Sequence, residues 1–311
     1  MATDYILFIH GVNTRQKREE PTYADQLFGL IQEKVGSSVQ LKKVSLYWGD
    51  VNKQAEEQLL QSFRSDSQNW RKFWFRDFRE QQILQFVGDA ALYLSSHIGS
   101  QVVETLTNQT LRSLEGFQPG DRLHLVTHSW GTVIFFDVLF ANRWSNPEIP
   151  GYKSVQELHK AFHGIDPEPD QGICFSSIHT MGSPIALFSL ISLSGQSSRD
   201  FAPNLKKLLD MLYQVRDSKP LPWLNFSHPG DPVAWPLANL IPSLLDECQN
   251  YVAVEDILTS NADVSDFLTQ PLSQTILALV HGGDAHGSYW SSKEVAEKIA
   301  QTINQGTRHL G

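Results

Sequence analysis

The sequence is short of cysteine, of positive charge and of long apolar runs, and each shortage removes a class of protein. Its 311 residues include two cysteines, Cys174 and Cys248, too few for a disulfide framework or a thiolate metal site. Lys and Arg number 25 against 34 Asp and Glu, a formal charge of −9. Nucleic-acid binding rests on cations neutralising phosphates, so this balance argues against nucleic acid as a partner. No apolar run approaches the ~20 residues that span a bilayer. The N-terminus has no basic segment followed by a long apolar stretch, so it reads as a first strand and not an export signal. A soluble, cytoplasmic protein is the expectation. There is no internal repeat and no Gly/Ser- or Pro-rich linker, so residues 1–311 are expected to form a single domain.

What the chain does have is a globular composition, 41% hydrophobic and 19% charged, which supports a full core rather than extended disorder. Apolar runs recur at Tyr5–His10, Leu41–Tyr47, Arg122–Thr127, Ile173–Thr180, Trp223–Ser227 and Tyr251–Val254. Several are apolar on both faces, such as Ile6-Leu7-Phe8-Ile9, as strands covered by helices on both sides must be. Helical patterns fall between them, at Tyr23–Val35 and Thr132–Asn142, and after them at Ser292–Asn304, where Val295, Ala296, Ile299, Ala300 and Ile303 share one face. The fold class expected is α/β, a mainly parallel sheet flanked by helices. A long helical insertion, about residues 52–115, separates the second and third strands.

The third strand runs directly into Thr127-His128-Ser129-Trp130-Gly131, and the apolar helix of Val133-Ile134-Phe135-Phe136 follows at once. Strand, sharp turn and helix are the context in which a G-x-S-x-G match carries meaning. Such a turn lifts the serine hydroxyl clear of the main chain and aims a helix N-terminus at it, so the Trp130 N–H can donate to a developing oxyanion. Residues two before and two after the serine are expected to be small because they approach one another. Gly131 satisfies this; Thr127 departs from the strict pattern, and an ordinary helix-capping turn would use the same residues.

Three further segments stand in order around this one. Phe8-Ile9-His10-Gly11-Val12-Asn13 is an apolar strand ending in His-Gly. Asn225-Phe226-Ser227-His228-Pro229-Gly230-Asp231-Pro232-Val233 is a strand followed by Gly-Asp-Pro-Val. Asp284-Ala285-His286-Gly287-Ser288-Tyr289-Trp290 places a histidine before Tyr-Trp. Together the four segments resemble those of the α/β-hydrolase superfamily, in particular its lipase-like and esterase-like members. The resemblance implies an α/β-hydrolase fold lacking the first two strands, with Ser129 as nucleophile, His286 as general base and Asp231 as the triad acid. It also implies the backbone N–H groups of Val12 and Trp130 as oxyanion donors. The chain order Ser, Asp, His is the order that fold requires. Thr180-Met181-Gly182-Ser183-Pro184 resembles a pocket-shaping turn of the same family, and a plain structural turn equally.

Rivals exist for each role. His281 lies close to His286, although the Tyr-Trp that follows favours His286. Asp217, Asp256 and Asp263 compete with Asp231, which alone follows a strand directly. Clusters such as His228 with Asp231, or His281, Asp284 and His286, lack the spacing of a metal site. No metal and no cofactor are expected. His10, Gly11 and His128 flank the site and are expected to shape its pocket.

Within the insertion, Trp70, Phe73, Trp74 and Phe78 fall at helical spacings, with Arg71, Arg76 and Arg79 off that stripe. Such a stripe is more often core than a lid or a membrane contact, and the acidic whole weighs against anionic lipid. Trp74 is expected to wall an acyl pocket. The function expected is hydrolysis of a small-molecule carboxylic ester, an acyl lipid among the candidates. The alternatives are an acyltransferase using the same triad and a non-catalytic binding protein on the same fold. The sequence leaves acyl length, head group and oligomeric state open.

Overall fold

The computed structural model describes the chain apart from residues 1, 13, 15, 17, 38, 66–69, 71, 73–92, 94, 188–198, 260–284 and 309–311. Each of the six apolar runs forms a strand: β1 (Thr3–Ile9), β2 (Gln40–Leu46), β3 (Arg122–His128), β4 (Cys174–Met181), β5 (Leu221–Ser227) and β6 (Val252–Leu258). All neighbours pair in parallel, in the order β2-β1-β3-β4-β5-β6. The expected fold class, a parallel sheet flanked by helices, is the one observed. β3 is buried along its whole length, whereas the edge strands β2 and β6 alternate in and out. That explains why β6 runs on to Leu258, past the expected end at Val254. Glu255 breaks the apolar run, as an edge strand with one sheet neighbour allows.

Parallel neighbours need crossovers, and crossovers are right-handed. The step from β1 to β2 runs toward one edge through α1 (Asp25–Val35), which packs Leu27, Ile31 and Val35 with Ile6 and Phe8 on one face. Every later step runs toward the other edge, so its helices must lie on the opposite face. The insertion contributes α2 (Lys53–Ser65) and α3 (Ser96–Leu114), and α3 buries Val102, Val103 and Leu106 with Tyr5, Leu7 and Ile9. The remaining crossover helices are α4 (Trp130–Phe140), α5 (Tyr152–His159), α6 (Ala202–Val215) and α7 (Leu240–Leu245). The terminal helix α8 (Lys293–Arg308) returns to the first face, where Val295, Ala296, Ile299, Ala300 and Ile303 meet α1. That is the face the sequence pattern indicated. The aromatic stripe of the insertion, with Trp74 in it, lies largely outside the described residues. None of the described helices is long and apolar enough to cross a membrane.

Two buried polar groupings brace this frame. Below the centre of the sheet, Arg122 on β3 binds Asp4 on β1 through two hydrogen bonds of 2.7 and 2.6 Å. His124 donates from Nε2 to the same carboxylate at 3.0 Å and accepts at Nδ1 from the Ser177 hydroxyl at 2.7 Å. Ser177 in turn accepts from His179 Nε2 at 2.7 Å. Burial holds both histidines neutral, so one tautomer of each satisfies the chain of donors. The second grouping is on α4, every residue of which from Gly131 to Phe140 is buried, as a helix apolar all round must be. Its one charged residue, Asp137, accepts from the Tyr93 hydroxyl at 2.5 Å and from Arg143 and Arg199.

β1 lies between β2 and β3, so the chain leaves β1 toward one edge and later returns on its other side. In open parallel sheets a crevice opens at the carboxyl ends of the strands at such a reversal. The loops there are His10-Gly11-Val12 after β1 and Ser129 after β3.

Candidate active site

Ser129 ends β3 with its N–H bonded to the Met181 carbonyl at 3.0 Å, and α4 begins at the next residue. To make that turn its backbone adopts φ 54° and ψ −135°, a region that costs a non-glycine residue on the order of 1–3 kcal/mol. Such strain persists only where the surroundings enforce it, and here the neighbours leave no alternative. A β-carbon on Gly131 would lie 2.2 Å from the His10 carbonyl oxygen. One on Gly11 would lie 2.4 Å from Ser129 Cβ and 2.9 Å from its Oγ. The β1 loop and the elbow interlock through two glycines.

The expectation that Gly131 is small because it meets Thr127 is corrected by this geometry. Gly131 is crowded by the main chain of Ile9 and His10. Thr127 has room for its side chain, and its hydroxyl accepts from Thr132 at 2.8 Å, which satisfies two buried groups where a glycine would satisfy neither.

His286 Nε2 stands 2.7 Å from Ser129 Oγ, and His286 Nδ1 stands 2.9 and 3.0 Å from the two oxygens of Asp231. A single tautomer serves both: Nδ1–H donates to the carboxylate and Nε2 accepts from the serine hydroxyl. Asp231 follows β5 through a tight turn closed by its N–H on the His228 carbonyl at 2.9 Å. Burial alone would raise its pKa. The hydrogen bond and charge of His286, the Tyr289 hydroxyl at 2.7 Å and the Val233 N–H at 2.9 Å outweigh burial and hold the pKa below the usual carboxylate value. Burial, then the charge and hydrogen bond of Asp231, push the Tyr289 phenol far up, so it stays a neutral donor.

The other expected site residues take distinct places. His128 donates from Nε2 to the His286 carbonyl at 2.7 Å, with ring centroids 4.6 Å apart. Burial first, then the charge of His286, push its pKa down to about 3, so it is a neutral prop for His286. His10 is fully buried behind the β1 loop rather than lining a pocket. Its Nδ1–H donates to the Gly11 carbonyl at 2.5 Å, its Nε2 accepts from the Trp48 N–H at 3.2 Å, and its ring stacks on Trp48. Val12 follows Gly11 directly in that loop. Trp130 opens α4, so its N–H belongs to the first turn, where amides point out of the helix N-terminus.

Of the rival acids, Asp256 on β6 is occupied by Asn225 Nδ2 at 2.7 Å and by the N–H groups of Leu237 and Ala238 at 2.8 and 2.9 Å. Asp217 sits exposed in a turn after α6. Asp263 and His281 lie outside the described residues.

Two residues that touch the Ser129, His286 and Asp231 grouping were not legible from the sequence. Gly182 has φ +53°, and a β-carbon there would lie 2.6 Å from Asp231 Oδ2, 2.8 Å from Tyr289 Cε2 and 3.0 Å from His286 Nδ1. The Gly-Ser-Pro turn therefore seats itself against Asp231 and His286. Tyr289 served in the sequence only as a marker beside His286; its hydroxyl bonds Asp231. Among the described residues no group of three or more His, Cys, Asp or Glu could hold a metal ion. A polar cleft of about 530 Å³ between Arg18, Asp50, Gln54, Glu104 and Arg112 includes none of Ser129, His286 and Asp231.

No family model and no curated protein matches the chain. Among solved structures it is similar to the RedJ thioesterase from the prodiginine biosynthetic pathway in Streptomyces coelicolor, over 98% of this chain and 86% of that one. The identity is 12% and the TM-score 0.35.

Proposed function

We propose that the protein is a serine hydrolase that cleaves a small-molecule carboxylic ester through an acyl-enzyme on Ser129. The observation that carries this is the unbroken path from Ser129 Oγ through His286 to Asp231, at 2.7 and 2.9 Å, built on a strained serine turn at the carboxyl ends of the strands. As the Ser129 oxygen attacks the ester carbon, its proton passes to His286 Nε2 and the carbonyl electrons move onto oxygen. Asp231 stays ionised and stabilises the imidazolium that forms. The N–H groups of Val12 and Trp130 are the proposed donors to the oxyanion, a duty for which each such donor is worth ~10²–10³ in rate. Collapse expels the alcohol, which takes the proton from His286. Water, deprotonated by the same histidine, then releases the acid and restores Ser129.

Replacing Ser129 with Ala tests the proposal. The wild-type protein should hydrolyse short p-nitrophenyl esters and label with a fluorophosphonate, and the variant should do neither. Labelling or turnover that survives in Ser129→Ala, or a wild-type protein inert to both reagents, would sink the assignment.

A further inference from the structure

The Asp231 side chain and Tyr289 are both fully buried, so protein donors rather than bulk water must balance the charge of the carboxylate. Oδ1 accepts from the Val233 N–H at 2.9 Å and lies 3.0 Å from His286 Nδ1, which it shares with Oδ2. At Oδ2 the described donors are His286 Nδ1 and the Tyr289 hydroxyl, at 2.9 and 2.7 Å. Tyr289 is itself held, because its oxygen accepts from the His228 N–H at 2.8 Å. It sits on the short helical turn Ser288–Ser291, only three residues after His286, and that turn is tightened by the Ser288 hydroxyl on the Ala285 carbonyl at 2.7 Å. One short segment thus presents both a ring N–H and a phenol to the same carboxylate oxygen.

Resting on the hydrolase reading above, we infer that Tyr289 is a positioning residue: its hydroxyl holds Asp231 in place and sets how strongly that carboxylate stabilises a protonated His286. A hydrogen bond from Tyr289 draws negative charge on Oδ2 away from His286. Without it, the charge on that oxygen faces the imidazole alone and favours the imidazolium more strongly. The titratable groups facing His286 are Asp231 from the β5 turn, Tyr289 from its own turn and His128 from β3. His10 is felt through His128, which stays neutral until far below the working range.

The experiment is kcat/KM against pH for the full chain and for Tyr289→Phe, with p-nitrophenyl acetate, alongside the pH dependence of fluorophosphonate labelling. In Tyr289→Phe the acidic limb should move up by about half a pH unit or more. kcat should fall about tenfold with KM changed less than about twofold, since the hydroxyl orients the acid and does not touch substrate. Site-specific 3-fluorotyrosine at 289, a stronger donor, should move the limb the other way and serves if the phenylalanine variant does not fold. A limb that superimposes on the wild type in either variant overturns the inference, even if the melting temperature drops, because a merely structural tyrosine would lower stability without moving the profile. A wild-type protein that neither labels nor turns over refutes the hydrolase reading itself, and this inference falls with it.

Discussion

Gly182 gives the site's most demanding test, because a single methyl group should disturb both stability and chemistry by calculable amounts. In Gly182→Ala the residue must keep a left-handed backbone at φ +53°, which costs an L-residue about 1–2 kcal/mol. The new Cβ would lie 2.6 Å from Asp231 Oδ2, 2.8 Å from Tyr289 Cε2 and 3.0 Å from His286 Nδ1. None of these is the free end of a flexible chain: Tyr289 is fully buried and the carboxylate is held from three sides. Forcing a methyl into such packing adds about 1–3 kcal/mol, for a total of roughly 2–5 kcal/mol. A melting entropy of ~2.1 cal/mol/K per residue over 311 residues converts that loss to a fall of about 3–8 °C in Tm. The only relief is to push Asp231 and His286 apart or away from Ser129, and a displacement approaching 1 Å costs on the order of 10²-fold in rate. Thermal melts followed by fluorophosphonate labelling of the still-folded variant at 20 °C would read both effects. A variant that melts within about 1 °C of wild type and labels at the wild-type rate would refute the reasoning.

Two further predictions follow from buried groups. His124, His128, His159 and His179 are all held neutral in the fold, chiefly by burial, yet take up protons near pH 6.5 once unfolded. Their folded pKa values lie below the unfolded ones, so stability is full above about pH 6.5 and falls as pH drops below it, at up to ~1.4 kcal/mol per pH unit for each histidine. Asp4 and Asp231, whose folded values are also depressed, lose their contribution only below about pH 4. Urea midpoints should therefore decline already between pH 6.5 and 5; a flat profile from pH 7 to 5 would contradict this. Thr127→Gly restores the glycine of the common elbow pattern but strips the Thr132 hydroxyl of its acceptor, so it should cost about 1–3 kcal/mol in chemical denaturation. An unchanged or raised stability would show that the Thr127–Thr132 bond contributes nothing.

Much of the frame could be read from residue type alone, because a strand covered on both faces must be apolar throughout. Tyr5-Ile6-Leu7-Phe8-Ile9 in β1 advertises that condition, β3 does so only through Leu123, Leu125 and Val126 between polar residues, and the far half of β6 hides behind Glu255 and Asp256. The proposed catalytic residues Ser129, Asp231 and His286 were legible because each lies in a local motif, at a strand end or beside Tyr-Trp, and the fold only had to bring those motifs together. Contacts that depend on long-range approach were not legible. Nothing local to Gly182 points to Asp231, and nothing local to Tyr289 says that its ring turns back under the acid. His10 shows the converse: its place in sequence beside Gly11 suggested a pocket wall, but Trp48, from the neighbouring strand's loop, claims its ring. The signal for Gly182 and Tyr289 lies in three dimensions, in the steric room left around a carboxylate.

The three crowded glycines have a consequence for altering what the site accepts. Gly11, Gly131 and Gly182 meet their neighbours at 2.2–2.6 Å from any added carbon, so the floor beneath Ser129 tolerates no redecoration, and a library aimed there would consist mostly of misfolded or silent proteins. The same loops carry their freedom further out. Leu187, in the short helical stretch after the Gly182 turn, and Trp235, in the irregular segment after Asp231, are 45% and 42% exposed. For the proposed hydrolase, variation belongs at such exposed positions, with the three glycines left fixed as the mould against which Ser129, His286 and Asp231 are set.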